Sequence, residues 1–222
     1  MDERIDRLRR ELEAAAVPAD AAPMAAYLKN RFVFLGVKTP ARRAASTSLI
    51  ADSTTIDIDG VIEIARYLRA QPEREFHHVT SDLLAANAHR LRADHLDDLR
   101  DFITTDSWWD TVDALASPTV GVMVLAFPSV ADAMDEWIQS DDIWLARTAI
   151  IHQLRFKEHT DVDRLFGYAV RRSGDSEFFI RKAIGWSLRQ YARTAPDAVR
   201  AFVDAHREEL SALSTREATK HL

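Results

Sequence analysis

Thr105-Asp106-Ser107-Trp108-Trp109 returns 35 residues on as Ser140-Asp141-Asp142-Ile143-Trp144, and 34 residues later as Gly174-Asp175-Ser176-Glu177-Phe178. Each copy reads as a capping aspartate, then aromatic or bulky apolar side chains, then a helix. The last two copies continue alike, as Arg147-Thr148-Ala149-Ile150 and Arg181-Lys182-Ala183-Ile184. Helical patterning extends over almost the whole chain, and no strand-like alternation lasts beyond a few residues. Prolines mark expected helix starts at Asp20 to Pro23, Thr39-Pro40, Pro72-Glu73, Ser117-Pro118 and Pro196-Asp197. A period near 35 in an all-α chain predicts stacked helix pairs whose inner helices line a concave surface suited to a long partner.

The expected architecture is therefore an α-solenoid of HEAT-like repeats, in one domain over residues 1–222, since no shift in composition marks a boundary. Hydrophobic content of 47% and charged content of 29% fit a globular protein that can bury a sizeable core. The chain has no cysteine, which excludes disulfides, thiol nucleophiles and cysteine-based zinc sites. The start, Met1-Asp2-Glu3-Arg4-Ile5-Asp6-Arg7, is too charged for a signal peptide, and no apolar run reaches membrane length. The expectation is a cytoplasmic, nucleoid-associated protein with no membrane partner.

Net charge is −6, but it is unevenly spread. Residues 1–146 carry 15 Lys/Arg against 25 Asp/Glu, whereas residues 147–200 carry 11 against 6. Binding of a polyanion depends on the local field, so a basic segment on an acidic body remains compatible with it. A solvated helix face explains the same counts.

Trp109 and Asp113 are four residues apart, which puts both on one helix face, while Trp108, Val112 and Leu115 make a separate apolar stripe. An aromatic ring beside a carboxylate suits a ligand that carries positive charge. In the third repeat, Ile180, Ala183, Ile184, Ser187, Leu188 and Tyr191 form the apolar stripe. Off it, Lys182, Trp186, Arg189 and Arg193 line up as cations flanking an indole, a pattern fit for phosphates and a sugar or base. The bland reading is a Trp capped by aliphatic Arg stems. Arg147 falls within the apolar arc of Ile143, Ile150, Ile151 and Leu154, so it needs an anion: a carboxylate of the fold or a ligand phosphate. His77-His78 have poor metal-ligand spacing, and no HExxH, GxSxG or Walker pattern is present. Phe32, Phe34, Phe127 and Phe156 read as core, and no metal or cofactor is expected.

Several separated motifs give the chain a resemblance to the AlkD-like DNA alkylation repair family, the HEAT-like repeat alkylpurine DNA glycosylases. They are Tyr27-Leu28-Lys29-Asn30-Arg31-Phe32-Val33-Phe34-Leu35-Gly36-Val37 with Pro40 and Arg42-Arg43, then Pro72-Glu73-Arg74-Glu75-Phe76. Further along come Ser107-Trp108-Trp109-Asp110 with Asp113, and Ile143-Trp144-Leu145 with Arg147. Glu177-Phe178-Phe179-Ile180, Lys182-Ala183-Ile184-Gly185-Trp186, and the stretch Ser214 to Lys220 complete the set. The acidic net charge and His77-His78-Val79 depart from the family pattern.

The resemblance implies that Asp113 is the catalytic carboxylate and that Trp109 and Trp186 flank the deoxyribose of a damaged nucleotide. It implies that Arg147 holds a phosphate and Tyr27 borders the same cleft. With Lys182, Arg189 and Arg193, it places Phe179 and Arg216 among the DNA-contacting residues. The implied activity is excision of N3- and N7-alkylated purines (3-methyladenine, 7-methylguanine, bulky adducts) from double-stranded DNA by a monomer with no snug base pocket. No lysine is spaced to sit beside Asp113, so lysine-dependent strand cleavage is not expected. The alternatives are a non-catalytic paralogue that binds distorted or branched DNA, and a protein-interaction scaffold.

Overall fold

The computed structural model describes residues 3–222, and among them the protein is all-helical, with one isolated parallel bridge, Val33 to Glu73. Internal packing divides the chain into a unit that ends at Leu91 and a second unit, Arg92–Leu222, a division that composition does not mark.

The first unit contains α1 (Glu3–Ala15), α2 (Pro18–Tyr27), α3 (Thr39–Ser53), α4 (Ile58–Arg69) and α5 (Arg74–Ala86). α3 packs between α1 and α5, and α4 packs on α5. α1 buries Ile5, Leu8 and Leu12 from the apolar face of an otherwise charged helix. The long connection between α2 and α3 is irregular backbone, so its N–H groups need partners. Glu75, fully buried on α5, supplies them: its carboxylate accepts from Leu35 N at 3.1 Å and from Gly36 N and Val37 N at 2.9 Å each. Gly36 has φ 94°, and a Cβ there would lie 2.2 Å from the Val17 carbonyl oxygen, so only glycine fits.

Next to Glu75, the Arg74 guanidinium lies 3.6 Å from the Phe32 ring centroid, and Nη1 is 3.0 Å from His77 Nδ1. His77 Nε2 lies 2.7 Å from the Gln71 carbonyl, so the neutral tautomer that donates there leaves Nδ1 to accept from Arg74. The two N-terminal family-like motifs are thus one fastening, and His77 is part of it. Phe32 and Phe34 are half-buried at this junction instead of belonging to the deep core.

The second unit contains α6 (Leu96–Thr104), α7 (Trp109–Leu115), α8 (Gly121–Ala126), α9 (Pro128–Trp137), α10 (Ile143–Ile151), α11 (Val162–Arg171), α12 (Phe178–Tyr191), α13 (Pro196–Ala205) and α14 (Ala212–Ala218). α7, α10, α12 and α14 pack in succession as one row, with α9 and α11 against α10 and α13 against α12 and α14. This is the stacked-pair arrangement expected from the repeat. α7, α10 and α12 open at Trp109, Ile143 and Phe178, as that spacing requires.

Two details differ from expectation. Only the middle copy caps its helix through aspartate: Asp142 accepts from Trp144 N at 2.8 Å and Leu145 N at 3.2 Å. α7 is entered from Trp108 without a side-chain cap, with Asp106 before it at φ 45°, while Asp175 accepts from Glu177 N and pairs with Arg172 in the loop before α12. The prolines also mislead at two places. Pro23 lies inside α2, which starts at Pro18, and Pro118 lies in a π-helical segment, Ala116–Val120, that carries α7 on into α8. The wider π turn accommodates a residue that has no N–H to donate. Phe156 is buried and Phe127 half-buried.

Glu75→Gln keeps the shape of the clamp but sets an amide NH2 against one of three backbone donors. It is expected to lower the unfolding free energy by about 1–3 kcal/mol in urea denaturation, the cost of leaving a buried donor unanswered. A variant as stable as the parent would show that the clamp is dispensable.

Candidate functional site

α7 is only seven residues long, yet it carries both Trp109, at its first position, and Asp113, one turn on. α10 buries every residue from Trp144 to Ile151, so Arg147 enters the interior with its neighbours. There it forms a two-pronged ion pair with Asp113: Nε to Oδ1 at 2.7 Å and Nη2 to Oδ2 at 2.8 Å. Its remaining arm, Nη1, donates to the Phe179 carbonyl on α12 at 2.5 Å. One side chain therefore joins three successive helices of the row. Of the two anions open to Arg147 from the sequence, the carboxylate of the fold is the one it holds. Three of its donors are thus answered inside the fold, and its expected phosphate contact is not part of this arrangement.

The Arg147 guanidinium lies 5.9 Å from the Phe179 ring centroid, and Phe179 belongs to an aromatic cluster with one member from each repeat. Trp108 and Phe179 meet edge to face at 5.0 Å, while the tilted pairs Trp144–Phe179 and Trp108–Trp144 lie at 5.0 Å and 5.6 Å. Phe179, expected at the DNA surface, is half-buried in this cluster, whereas its neighbour Phe178 is 58% exposed.

The Asp113 side chain is 18% exposed and that of Arg147 4%. The carboxylate is thus the outer member of the pair and the guanidinium lies behind it. Burial pushes the Asp113 carboxyl above the ordinary carboxylate range, and the hydrogen bonds and charge of Arg147 oppose that rise without cancelling it.

Further along the row, α12 carries Lys182, Trp186 and Arg189, all half-buried. α12 and α14 meet closely at Gly185, where a Cβ would lie 2.4 Å from the Glu217 Cβ and 2.8 Å from the Ser214 carbonyl oxygen. That contact brings Glu217 under both cations: Lys182 Nζ lies 2.7 Å from Oε1, and Arg189 pairs with Oε2. The two cations hold the Glu217 carboxyl down to about 2. The cationic stripe expected around Trp186 is therefore largely answered inside the fold.

Arg193, past the end of α12, and Arg216, on α14, are exposed. Tyr27 belongs to the first unit, where it ends α2 and is 71% exposed. No group of three His, Cys, Asp or Glu suited to a metal ion occurs among the described residues.

Glu217 is the residue that sequence reasoning missed, although the repeat contained the signal. Asp113, Arg147, Lys182 and Glu217 are spaced by 34, 35 and 35 residues, so they occupy one repeat position on α7, α10, α12 and α14.

Replacing Arg147 by Met leaves Asp113 buried without its partner, and the expected loss of stability near neutral pH is about 3 kcal/mol. Without the guanidinium, the folded-state pKa of Asp113 rises further, so the folded state holds a proton that the unfolded chain has released. Stability linked to that group falls as pH rises through this window, so the deficit of Arg147→Met should shrink as pH is lowered towards the unfolded value. Urea titrations at several pH values, with Asp113→Asn/Arg147→Met completing the cycle, check this. A deficit independent of pH would remove Asp113 from the explanation.

The DNA alkylation repair enzyme family matches the chain over residues 8–222. A solved structure described as a predicted DNA alkylation repair enzyme from Enterococcus faecalis superposes with a TM-score of 0.87 at 33% identity, covering 93% of this chain and 96% of that one. No curated protein matches the sequence.

Proposed function

The chain belongs to the DNA alkylation repair enzyme family, and from that premise we propose that it is a monofunctional glycosylase that hydrolyses the bond between deoxyribose and a cationic N3- or N7-alkylated purine. The observation that carries the reading is Asp113, a mostly buried carboxylate that forms the outer end of its ion pair, one turn from Trp109.

An alkylated purine of this type already bears positive charge, so it departs with the glycosidic electron pair as a neutral base and needs no general acid. The demanding event is the build-up of positive charge on the sugar. Asp113 supplies the opposing negative charge and accepts a proton from the water whose oxygen bonds to C1′. Trp109 and Trp186 offer π-faces to the same charge, worth about 0.5–2 kcal/mol each. A stabiliser that acts on charge, and not on base shape, selects 3-methyladenine, 7-methylguanine and bulkier cationic adducts over neutral damaged bases.

The two-pronged closure of Asp113 on Arg147 is also the pattern of a purely structural ion pair. It favours, as the second reading, a non-catalytic paralogue that binds distorted or branched DNA.

Release of methylated base from methylated duplex DNA separates the two. Asp113→Asn is expected to slow release by about 10²–10³-fold while leaving duplex binding in place. Because the ionised carboxylate acts and burial has raised its pKa, the rate should fall with decreasing pH at values above the ordinary carboxylate range. No release by the parent protein, with DNA still bound, selects the paralogue. Release that Asp113→Asn leaves within a few-fold of the parent would dismiss the carboxylate's role.

A further inference from the structure

Past α10 the chain makes a tight turn, Lys157–His159, before α11, and past α12 it turns again at Arg193 and Thr194. Between these turns lies a cavity of about 250 Å3, with Leu154, Leu165 and Tyr191 as its apolar part and Lys157, Thr160, Arg193 and Thr194 among its polar residues. No carboxylate lines it, in a chain where Asp and Glu outnumber Lys and Arg by 35 to 29. Lys157 and Arg193 are both exposed, and neither makes an ion pair among the described residues. They differ in this from Lys182 and Arg189, whose charges Glu217 answers.

The turn that carries Lys157 is held firmly. Lys157 has φ 52°, a conformation that non-glycine residues adopt only when their surroundings impose it. The buried Gln153 amide imposes it from one side, donating to the Asp161 carbonyl at 3.1 Å and accepting from Asp161 N at 2.7 Å. Thr160 imposes it from the other, its hydroxyl donating to the Lys157 carbonyl at 2.7 Å. The backbone that carries Lys157 is thus a fixed turn, and the other cation lining the cavity is a guanidinium.

We propose that this cavity is a phosphate-binding site, in which Lys157 and Arg193 share the charge of one phosphate group and the Thr160 and Thr194 hydroxyls lie within the same rim. A compact ammonium and a forked guanidinium are complementary partners for a phosphate's oxygens. Two cations on a cavity that no carboxylate lines favour an anion over a cation there. The phosphate comes either from a DNA backbone or from a small phosphorylated molecule, and only the first source rests on the glycosylase reading.

The test uses the full chain, the parent and Lys157→Gln/Arg193→Gln, two exposed changes that leave the packing alone. Inorganic phosphate is titrated while the backbone amide resonances of Lys157–Thr160 and of Arg193 and Thr194 are followed by NMR. Undamaged duplex DNA is then titrated at several salt concentrations. The expected result is a saturable shift of these amides with phosphate in the parent, weakened at least tenfold in the double variant. Shifts of the same amides with duplex, together with a salt dependence shallower by about one ion in the variant, make the DNA backbone the source. Shifts with phosphate and none with duplex support the site with a small phosphorylated ligand, and leave the glycosylase reading to its own base-release assay. Amides that stay still with both probes, or a double variant that responds like the parent, would overturn the proposal.

Discussion

Arg147 lies with its side chain almost wholly inside the protein, so its charge and its donors have to be answered by the fold itself. Asp113 answers two prongs and the Phe179 carbonyl a third, and those partners sit on the helices to either side of its own. α7 opens a helical run that the π turn carries on into α8, and it is entered from Trp108 with no side-chain cap, so tertiary contacts have to fix its first turn. The ion pair fixes it in rotation as well as position, because a bidentate contact tolerates little turning of either helix. The aromatic cluster of Trp108, Trp144 and Phe179 gives the apolar burial that a charged pair does not. Together they set the register on which the placing of Trp109 and Asp113 depends.

The same constraint extends along the row as a repeating one. At the shared repeat position the charges are negative, positive, positive and negative, from Asp113 through Arg147 and Lys182 to Glu217. The outer members each answer an inner one, and Glu217 also takes Arg189. The row is close to neutral, so it holds helices together without presenting a strong field. Whatever attraction the basic stretch of residues 147–200 exerts on an anion must come from cations outside the row.

The period near 35 was enough to place the starts of α7, α10 and α12, because capping and hydrophobic spacing are local properties. Trp109 and Asp113 could be put on one helix face, and Arg147 recognised as a buried charge needing an anion, for the same reason. Which anion was not legible from either helix, since it depends on how the helices stack. Residues 101–146 contain no Lys or Arg at all, so the nearest cation in sequence after Asp113 is Arg147, and the pairing could have been suspected. Glu217 was hidden because the fourth copy of the repeat has lost its aromatic signature and keeps only its spacing. The Glu75 clamp was opaque in another way, for its partners are backbone N–H groups, which no side-chain pattern advertises. Pro118 resembles a start signal in sequence because nothing local distinguishes a proline that opens a helix from one that a π turn takes within a continuing helix.

The orientation of the ion pair bears on the proposed chemistry more than its existence does. A carboxylate and guanidinium in contact form a dipole, and the exposures of 18% for Asp113 and 4% for Arg147 put the negative end outward. A ligand approaching from solvent meets the carboxylate first, so the pair attracts positive charge and repels phosphate. A sugar acquiring positive charge beside a cationic purine is therefore matched to this position, and a phosphodiester is not. The guanidinium opposes the rise that burial gives the Asp113 carboxyl without standing between it and solvent, which the proposed chemistry requires. On the proposed function, phosphates of the same DNA have to be held by other cations, and Lys157 and Arg193, which make no ion pair among the described residues, are the proposed ones. On this reading the two tasks are separated in space, with the anion that serves the lesion in the row and the cations that serve the backbone at the turns beyond its helices.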